Sequence, residues 1–132
     1  MIVRTANVAI LHGIVGMVGD AGLLKAYSAP MPATGGGAID TAVLLGTITL
    51  GTPMGTVSGT TLTFATSTPD ISVDATDNIA WVRITDSVGT WVMDLDVTVD
   101  TADPLGAVTI PTTTAVQIGG ILSLAASTLT VA

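Results

Sequence analysis

The chain of 132 residues carries ten Asp against three basic residues, so its formal net charge is −7, and only 10% of its residues are charged. Its length fits one domain with a modest core. Contacts to phosphate require Lys and Arg, which are almost missing, so the composition excludes nucleic acid as an expected partner. About a quarter of the residues in an ordinary soluble domain are charged, so we expect sister subunits or partner proteins to cover part of this surface.

The residue types favour strands over helices. The chain contains 23 Thr, 15 Val and 15 Gly, but no Glu, one Gln and one Lys. β-branched residues are frequent in strands, whereas the scarce residues are good helix formers. The composition therefore predicts an all-β fold.

Metal and membrane chemistry have little support in the sequence. Cysteine is absent and His12 is the only histidine, so one chain cannot build a thiolate or histidine zinc site. The apolar run at 8–18 is too short to span a bilayer. We expect no metal, no cofactor and no membrane partner, and we expect His12 to be a packed or interface residue.

Residues 1–22 differ from the rest because glycine recurs at every third position from Gly13 to Gly22 among large aliphatic side chains. This spacing predicts an apolar, Gly-rich N-terminal arm or short helix, followed by a β domain over residues 23–132. We expect the arm to pack on the sheet or on a neighbouring subunit. The candidate interface residues are Ile10, Leu11, Ile14, Val15 and Val18.

Roughly seven or eight short strands follow, separated by Gly, Pro, Asn and Asp. The candidate strands are 23–29, 43–50, 60–65 with residues 55–59 leading into it, a possible edge strand at 71–73, the two arms of a hairpin at 79–99, 107–110 and 121–131. Short strands at this spacing predict an antiparallel β-sandwich or a jelly-roll-like barrel. The sequence leaves the strand order open.

The hairpin at 79–99 shows the clearest pattern, because apolar and polar residues alternate after the turn at residues 86–89. A period of two predicts a strand with one wet face. The residues expected on the apolar face are Trp91, Met93, Leu95, Val97 and Val99. We expect Asp94 and Asp96 to lie in solvent on the other face.

Trp81 and Trp91 flank the same turn, and the hairpin predicts that they lie almost opposite one another. A cross-strand aromatic pair contributes on the order of 0.5–1 kcal/mol beyond its burial. Two interpretations stay open: the pair packs in the core, or it forms an exposed platform for glycans while Ala80, Val82 and Ile84 face inward. The register of the hairpin decides between them.

The Asp residues do not form a catalytic pattern. A glycosidase needs two carboxyls at a defined separation in a cleft with aromatic residues, and this chain has few aromatics. Segments 70–78 and 96–104 could supply oxygen ligands for calcium, but neither matches the EF-hand pattern, and Asx turns explain these Asp residues better. With His12 as the only histidine, a nucleophilic triad also lacks support. We expect no catalytic residue and no enzyme activity.

The order of two long segments carries a resemblance to known proteins. "LLKAYSAPMPATGGGAIDTAVLLGTITL" at 23–50 is followed by "IAWVRITDSVGTWVMDLDV" at 79–97 and by a final alternating strand. Over residues 22–131 this order resembles small virion structural proteins of tailed bacteriophages. The shared motifs are strand and turn patterns of moderate specificity.

The resemblance implies a non-enzymatic component of a phage particle that decorates or cements the head. Its expected partners are the major capsid protein or other virion proteins and, as a homo-oligomer, further copies of itself. We expect the chain in the virion, after assembly in the host cytoplasm. Two alternatives stay open: a structural protein of the tail, neck or fibre, and a carbohydrate-binding β-sandwich module.

Overall fold

Strands in mainly antiparallel sheets form most of the regular structure. The computed structural model describes residues 2–59, 61–65, 67–99, 108–110, 115–122 and 128–130. These residues contain one helix and ten strands. The predicted mostly-β fold is therefore confirmed, and the described sheets do not close into a barrel.

The elements follow the chain in a simple order. The helix and the first five strands are α1 (Ile2–Val18), β1 (Leu23–Tyr27), β2 (Leu44–Thr49), β3 (Gly55–Ser58), β4 (Thr61–Phe64) and β5 (Asp77–Asn78). The remaining strands are β6 (Trp81–Thr85), β7 (Trp91–Val99), β8 (Val108–Ile110), β9 (Ala115–Val116) and β10 (Thr128–Thr130).

The largest sheet has five strands in the order β2-β1-β6-β7-β8. All pairings in it are antiparallel except the one between β7 and β8, which is parallel. The sequence predicted a purely antiparallel arrangement, and this parallel pair departs from it. A parallel neighbour requires a crossover connection rather than a tight hairpin. A three-stranded sheet, β10-β4-β3, and the two-stranded pair β5-β9 complete the β structure of the described residues.

The outer edge of β2 is occupied by the segment that follows β4. Thr49 and Thr68 exchange two backbone hydrogen bonds of 3.2 and 2.8 Å. The Thr47 N–H donates to the Asp70 carboxylate at 2.9 Å, and the Asp74 N–H donates to the Leu45 carbonyl at 2.7 Å. Backbone groups that an edge strand would leave open are therefore used within the chain.

The core lies on one face of the five-stranded sheet. Apolar side chains lie side by side on this face in two cross-strand pairs, Leu24 with Ile84 and Val82 with Leu95. Other buried members of the same cluster are Leu45, Ile48, Leu50, Met54, Leu62, Val73, Ile79 and Leu122. The predicted inward position of Met93 and Leu95 is confirmed, since both pack against this cluster.

The helix α1 packs on the β structure against β3, β4 and β7. Leu11 and Val18 are fully buried in the core, which gives the helix its attachment. The helix ends at a glycine in the left-handed region, since Gly19 has φ 64° and its N–H donates to the Val15 carbonyl at 3.0 Å. The chain then enters β1 through Gly22, where a Cβ atom would lie 2.9 Å from the Thr85 carbonyl oxygen.

A β-bulge in the hairpin changes the predicted faces. Ile84 pairs with Met93, but the next residue, Thr85, pairs with Trp91, so Val92 is the extra residue. Trp91 therefore lies on the face opposite Met93 and Leu95, and the prediction that it shares their face is wrong. The side chains of Val97 and Val99, also expected on the apolar face, lie outside the described residues.

Candidate functional site

The predicted interface residues of the N-terminal helix fall into two groups. Leu11 and Val18 are fully buried in this chain's own core, and Ile14 and Val15 pack partly against it. Ile10 is half exposed. A contact with a partner through this helix stays a prediction, and the residues already used in the core could not supply it.

The second face of the five-stranded sheet, away from the core, carries an aromatic and charged stack. Tyr27 stacks on Trp81 with ring centroids 4.7 Å apart and planes inclined by 14°. The guanidinium carbon of Arg83 lies 5.3 Å from the Trp81 ring centroid, within cation–π range. The Trp81 indole N–H donates to the Ser28 carbonyl at 2.9 Å. Trp81 is thus fully buried with its polar group satisfied.

Arg83 forms a two-point ion pair with Asp94, its cross-strand partner. Arg83 Nε donates to Asp94 Oδ1 at 2.8 Å, and an Arg83 terminal nitrogen donates to Asp94 Oδ2 at 3.0 Å. The two side chains are only 12% and 6% exposed. The expectation that Asp94 lies in solvent is therefore wrong, because the adjacent loop covers it. The side chain of Asp96 lies outside the described residues.

Burial of the Asp94 carboxylate raises its pKa, but the hydrogen bonds that it accepts outweigh burial and hold its pKa below the ordinary value. These bonds come from Arg83, from the Gly36 N–H and from the Trp91 indole. The same hydrogen bond with Asp94 raises the pKa of Arg83. Both groups are charged at neutral pH.

A loop of three glycines, Gly35–Gly37, covers this ion pair. The Gly36 N–H donates to Asp94 Oδ2 at 3.1 Å, and Arg83 donates to the Gly37 carbonyl at 3.0 Å. A Cβ atom on Gly36 would lie 2.8 Å from Trp91 Cδ2. Glycine is therefore required for the loop to lie directly against the indole ring.

The two tryptophans do not form a glycan platform. Trp81 pairs with Asp96 and Trp91 with Thr85, so the two indoles are not opposite one another, and Trp81 is fully buried. Asp94 accepts four hydrogen bonds, the fourth from the Trp91 indole N–H at 3.2 Å. Its acceptor capacity is used within the protein. The exposed-pair interpretation is therefore wrong for the two rings, although Val82 and Ile84 do face the core as it supposed. A pair packed together in the core is wrong as well, since Trp91 is 41% exposed.

In the predicted calcium segment, 70–78, the carboxylates of Asp70 and Asp77 accept hydrogen bonds from the backbone. Asp70 accepts from the N–H of Thr47 and, in an Asx turn, from the N–H of Ser72, both at 2.9 Å. Among the described residues, no group of three or more His, Asp or Glu side chains could hold a metal ion. The second candidate segment, 96–104, lies largely outside those residues.

Three isoleucines remain at the surface on two segments that hydrogen-bond to each other. Ile71, Ile118 and Ile121 have fractional exposures of 74%, 69% and 71%, and we refer to them as the isoleucine patch. Scattered exposed aliphatic residues are ordinary, but clusters of them mark interaction sites. Sequence reasoning missed this patch, because it assigned Ile71 and Ile121 to candidate strands at 71–73 and 121–131, whereas both lie outside the strands of the described residues.

Backbone bonds hold the two segments of the isoleucine patch in place. Asp70 and Leu122, the neighbours of Ile71 and Ile121, exchange two hydrogen bonds of 2.9 and 2.8 Å. The Ile118 N–H donates to the Thr76 hydroxyl at 2.9 Å. The fully buried Leu122 anchors the second segment in the core. The patch is therefore a fixed surface of the fold.

His12 lies on the exposed side of α1. No helix in the described part of the chain is both long and apolar enough to pass through a bilayer.

In comparisons with known proteins, no family model, no curated protein and no solved structure matches the chain. The resemblance of residues 22–131 to phage virion proteins therefore stays a prediction.

Proposed function

We propose that this chain is a non-enzymatic virion structural protein that decorates or cements the capsid of a tailed bacteriophage. The isoleucine patch is the observation that carries the proposal. An exposed apolar surface that the fold holds in place is a feature of interaction sites, and a particle lattice could bury it. Ile71, Ile118 and Ile121 offer such a surface on hydrogen-bonded segments.

Two properties of the sequence support the proposal. Only 10% of the residues are charged, which suits a surface that neighbours cover in an assembly. The order of the segments at 23–50 and 79–97 resembles that of small virion proteins. Many weak contacts become a stable attachment on a repeating lattice, since neighbouring sites act together.

The proposal includes a sandwich arrangement of the domain. In it, the five-stranded sheet and the three-stranded sheet β10-β4-β3 form the two layers, with the core cluster between them. The helix α1 then closes one side of the core through Leu11 and Val18. An experimental structure in which the two sheets do not face one another would remove this part of the proposal.

The location of the chain in purified particles tests the proposed function. We expect electron cryomicroscopy and quantitative mass spectrometry of particles from the encoding phage to find many copies spread over the head. A few copies at one vertex or along the tail would replace decoration by a neck, tail or fibre role. Absence from the particles would refute a virion function altogether.

A further inference from the structure

We propose that the isoleucine patch binds a different protein, whose surface has an apolar centre and Lys or Arg side chains at its rim. This inference rests on the proposed function and names the chemistry of the partner surface. A second copy of the chain is the alternative occupant. The charges beside the patch decide between them.

Acidic residues flank the patch without any basic residue between them. The two segments that carry the patch, 67–78 and 115–122, contain Asp70, Asp74 and Asp77 and no Lys or Arg. Asp70 is engaged with the backbone of Thr47 and Ser72. Asp74 and Asp77 have exposed side chains.

The pairing of the two segments keeps these charges next to the isoleucines. Asp77 pairs with Val116 in the β5-β9 ladder. Ile118 is bonded to Thr76, which lies between the two exposed acids along the chain. Asp74 and Asp77 therefore lie on the hydrogen-bonded segments that carry the isoleucines, and we call these two acids the rim of the patch.

A symmetric dimer would bring the same patch of two copies together, so the two acidic rims would meet. Like charges across an interface disfavour association, most strongly at low salt. A partner with a basic rim gains from the same charges, since complementary potentials speed the encounter and fix the register. Charge complementarity therefore favours a second protein over a second copy.

The test uses purified chain and particles of the encoding phage that were assembled without it. We expect the wild-type chain to bind these particles, and binding to weaken as NaCl is raised from 50 to 500 mM. The single variants Ile71→Ser and Ile121→Ser should each bind about ten- to hundredfold more weakly, because each loses one buried aliphatic side chain. The double variant Asp74→Asn, Asp77→Asn should bind more slowly and respond less to salt.

A matched control is Val88→Ser. Val88 is 85% exposed on the hairpin turn, outside the patch, so its replacement should leave binding unchanged. Circular dichroism and urea midpoints equal to those of the wild type would show that each variant is folded. Because all the replaced side chains are exposed, we expect folding to be preserved.

Each outcome bears on one statement. Wild-type binding that the isoleucine variants do not weaken would overturn the patch while leaving the virion function intact. Wild-type binding that neither salt nor the Asp variants affect would overturn the basic rim. A concentration-dependent dimer in sedimentation that Ile71→Ser abolishes would make a second copy the occupant. Failure of the wild type to bind these particles would overturn the inference, whereas the proposed function is decided separately by the location of the chain in purified native particles.

Discussion

Replacing Asp94 by alanine removes a carboxylate that accepts four hydrogen bonds on the second face of the sheet. Two come from Arg83, one from the Gly36 N–H and one from the Trp91 indole. The variant leaves the Arg83 guanidinium without its counter-ion beneath the glycine loop. We expect a large loss of stability.

The magnitude follows from the burial of the pair. The Arg83 and Asp94 side chains are 12% and 6% exposed, so the guanidinium that loses its carboxylate lies largely out of solvent. Removing one partner of a buried ion pair costs about 3–5 kcal/mol. Since whole domains are stable by about 5–15 kcal/mol, Asp94→Ala should remove a large part of the free energy of unfolding.

Urea denaturation followed by far-ultraviolet circular dichroism measures this loss. Asp86→Ala is the control: Asp86 accepts hydrogen bonds from Val88 and Thr90 in the exposed hairpin turn, so its loss should cost clearly less. The double variant Arg83→Leu, Asp94→Leu should recover most of the lost stability, because no unpaired charge remains buried.

Two results would refute the reasoning. A loss below about 1 kcal/mol for Asp94→Ala would place the pair among weak surface ion pairs. A double variant no more stable than Asp94→Ala would show that the stranded charge of Arg83 is not the cause of the loss.

Three further predictions concern stability. Gly22→Ala should lower the free energy of unfolding by about 1–3 kcal/mol, since its Cβ atom would collide with Val18 and the Thr85 carbonyl. Gly13→Ala, at an open helix position, should raise it by about 1 kcal/mol. Thermal unfolding in which both variants shift in the same direction would contradict this. Leu122→Ala should cost about 2–5 kcal/mol in urea denaturation, because it empties a buried site; an unchanged midpoint would show that the site collapses. The pKa of Asp94 is lowered in the folded state, so its contribution to stability should be fully present above about pH 3.9, the ordinary value, and be lost as pH falls through the lower folded pKa. In urea denaturation at a series of pH values, Asp94→Asn should therefore lose less of its free energy of unfolding on acidification than the wild type does. An equal loss in both proteins would contradict the assignment.

The sequence predicted the strands well where the period of two was regular. Leu44–Thr49, Thr61–Phe64 and the hairpin strands lie where the alternation placed them, and Leu23–Tyr27 lies within the strand predicted at 23–29. Met93 and Leu95 pack against the core as expected. Alternation reports which residues share a face, and a buried face fixes that pattern strongly.

Alternation failed at the bulge, because one extra residue reverses the face of every side chain beyond it. Val92 is that residue, and it moves Trp91 to the face of Arg83. With the correct register, Arg83 and Asp94 are direct cross-strand partners of opposite charge. The hairpin sequence alone could have indicated this pair, had the bulge been recognised.

Long-range contacts were beyond sequence reasoning. The glycine loop covers Asp94 from 58 positions away along the chain, and no local pattern links the two. The same holds for the isoleucine patch, which depends on the pairing of Asp70 with Leu122. The predicted interface helix shows the converse problem: an apolar stripe looks the same whether it faces a partner or, as for Leu11 and Val18, the chain's own core.

The occupied edge of β2 limits how copies of this chain can associate when they are crowded together. Thr68, Asp70 and Asp74 already bond to the outward groups of this strand, so an incoming strand finds few free donors or acceptors there. Fibril growth by strand addition requires such free groups. At this edge, high local concentration can therefore build contacts between side chains without starting an extended intermolecular sheet.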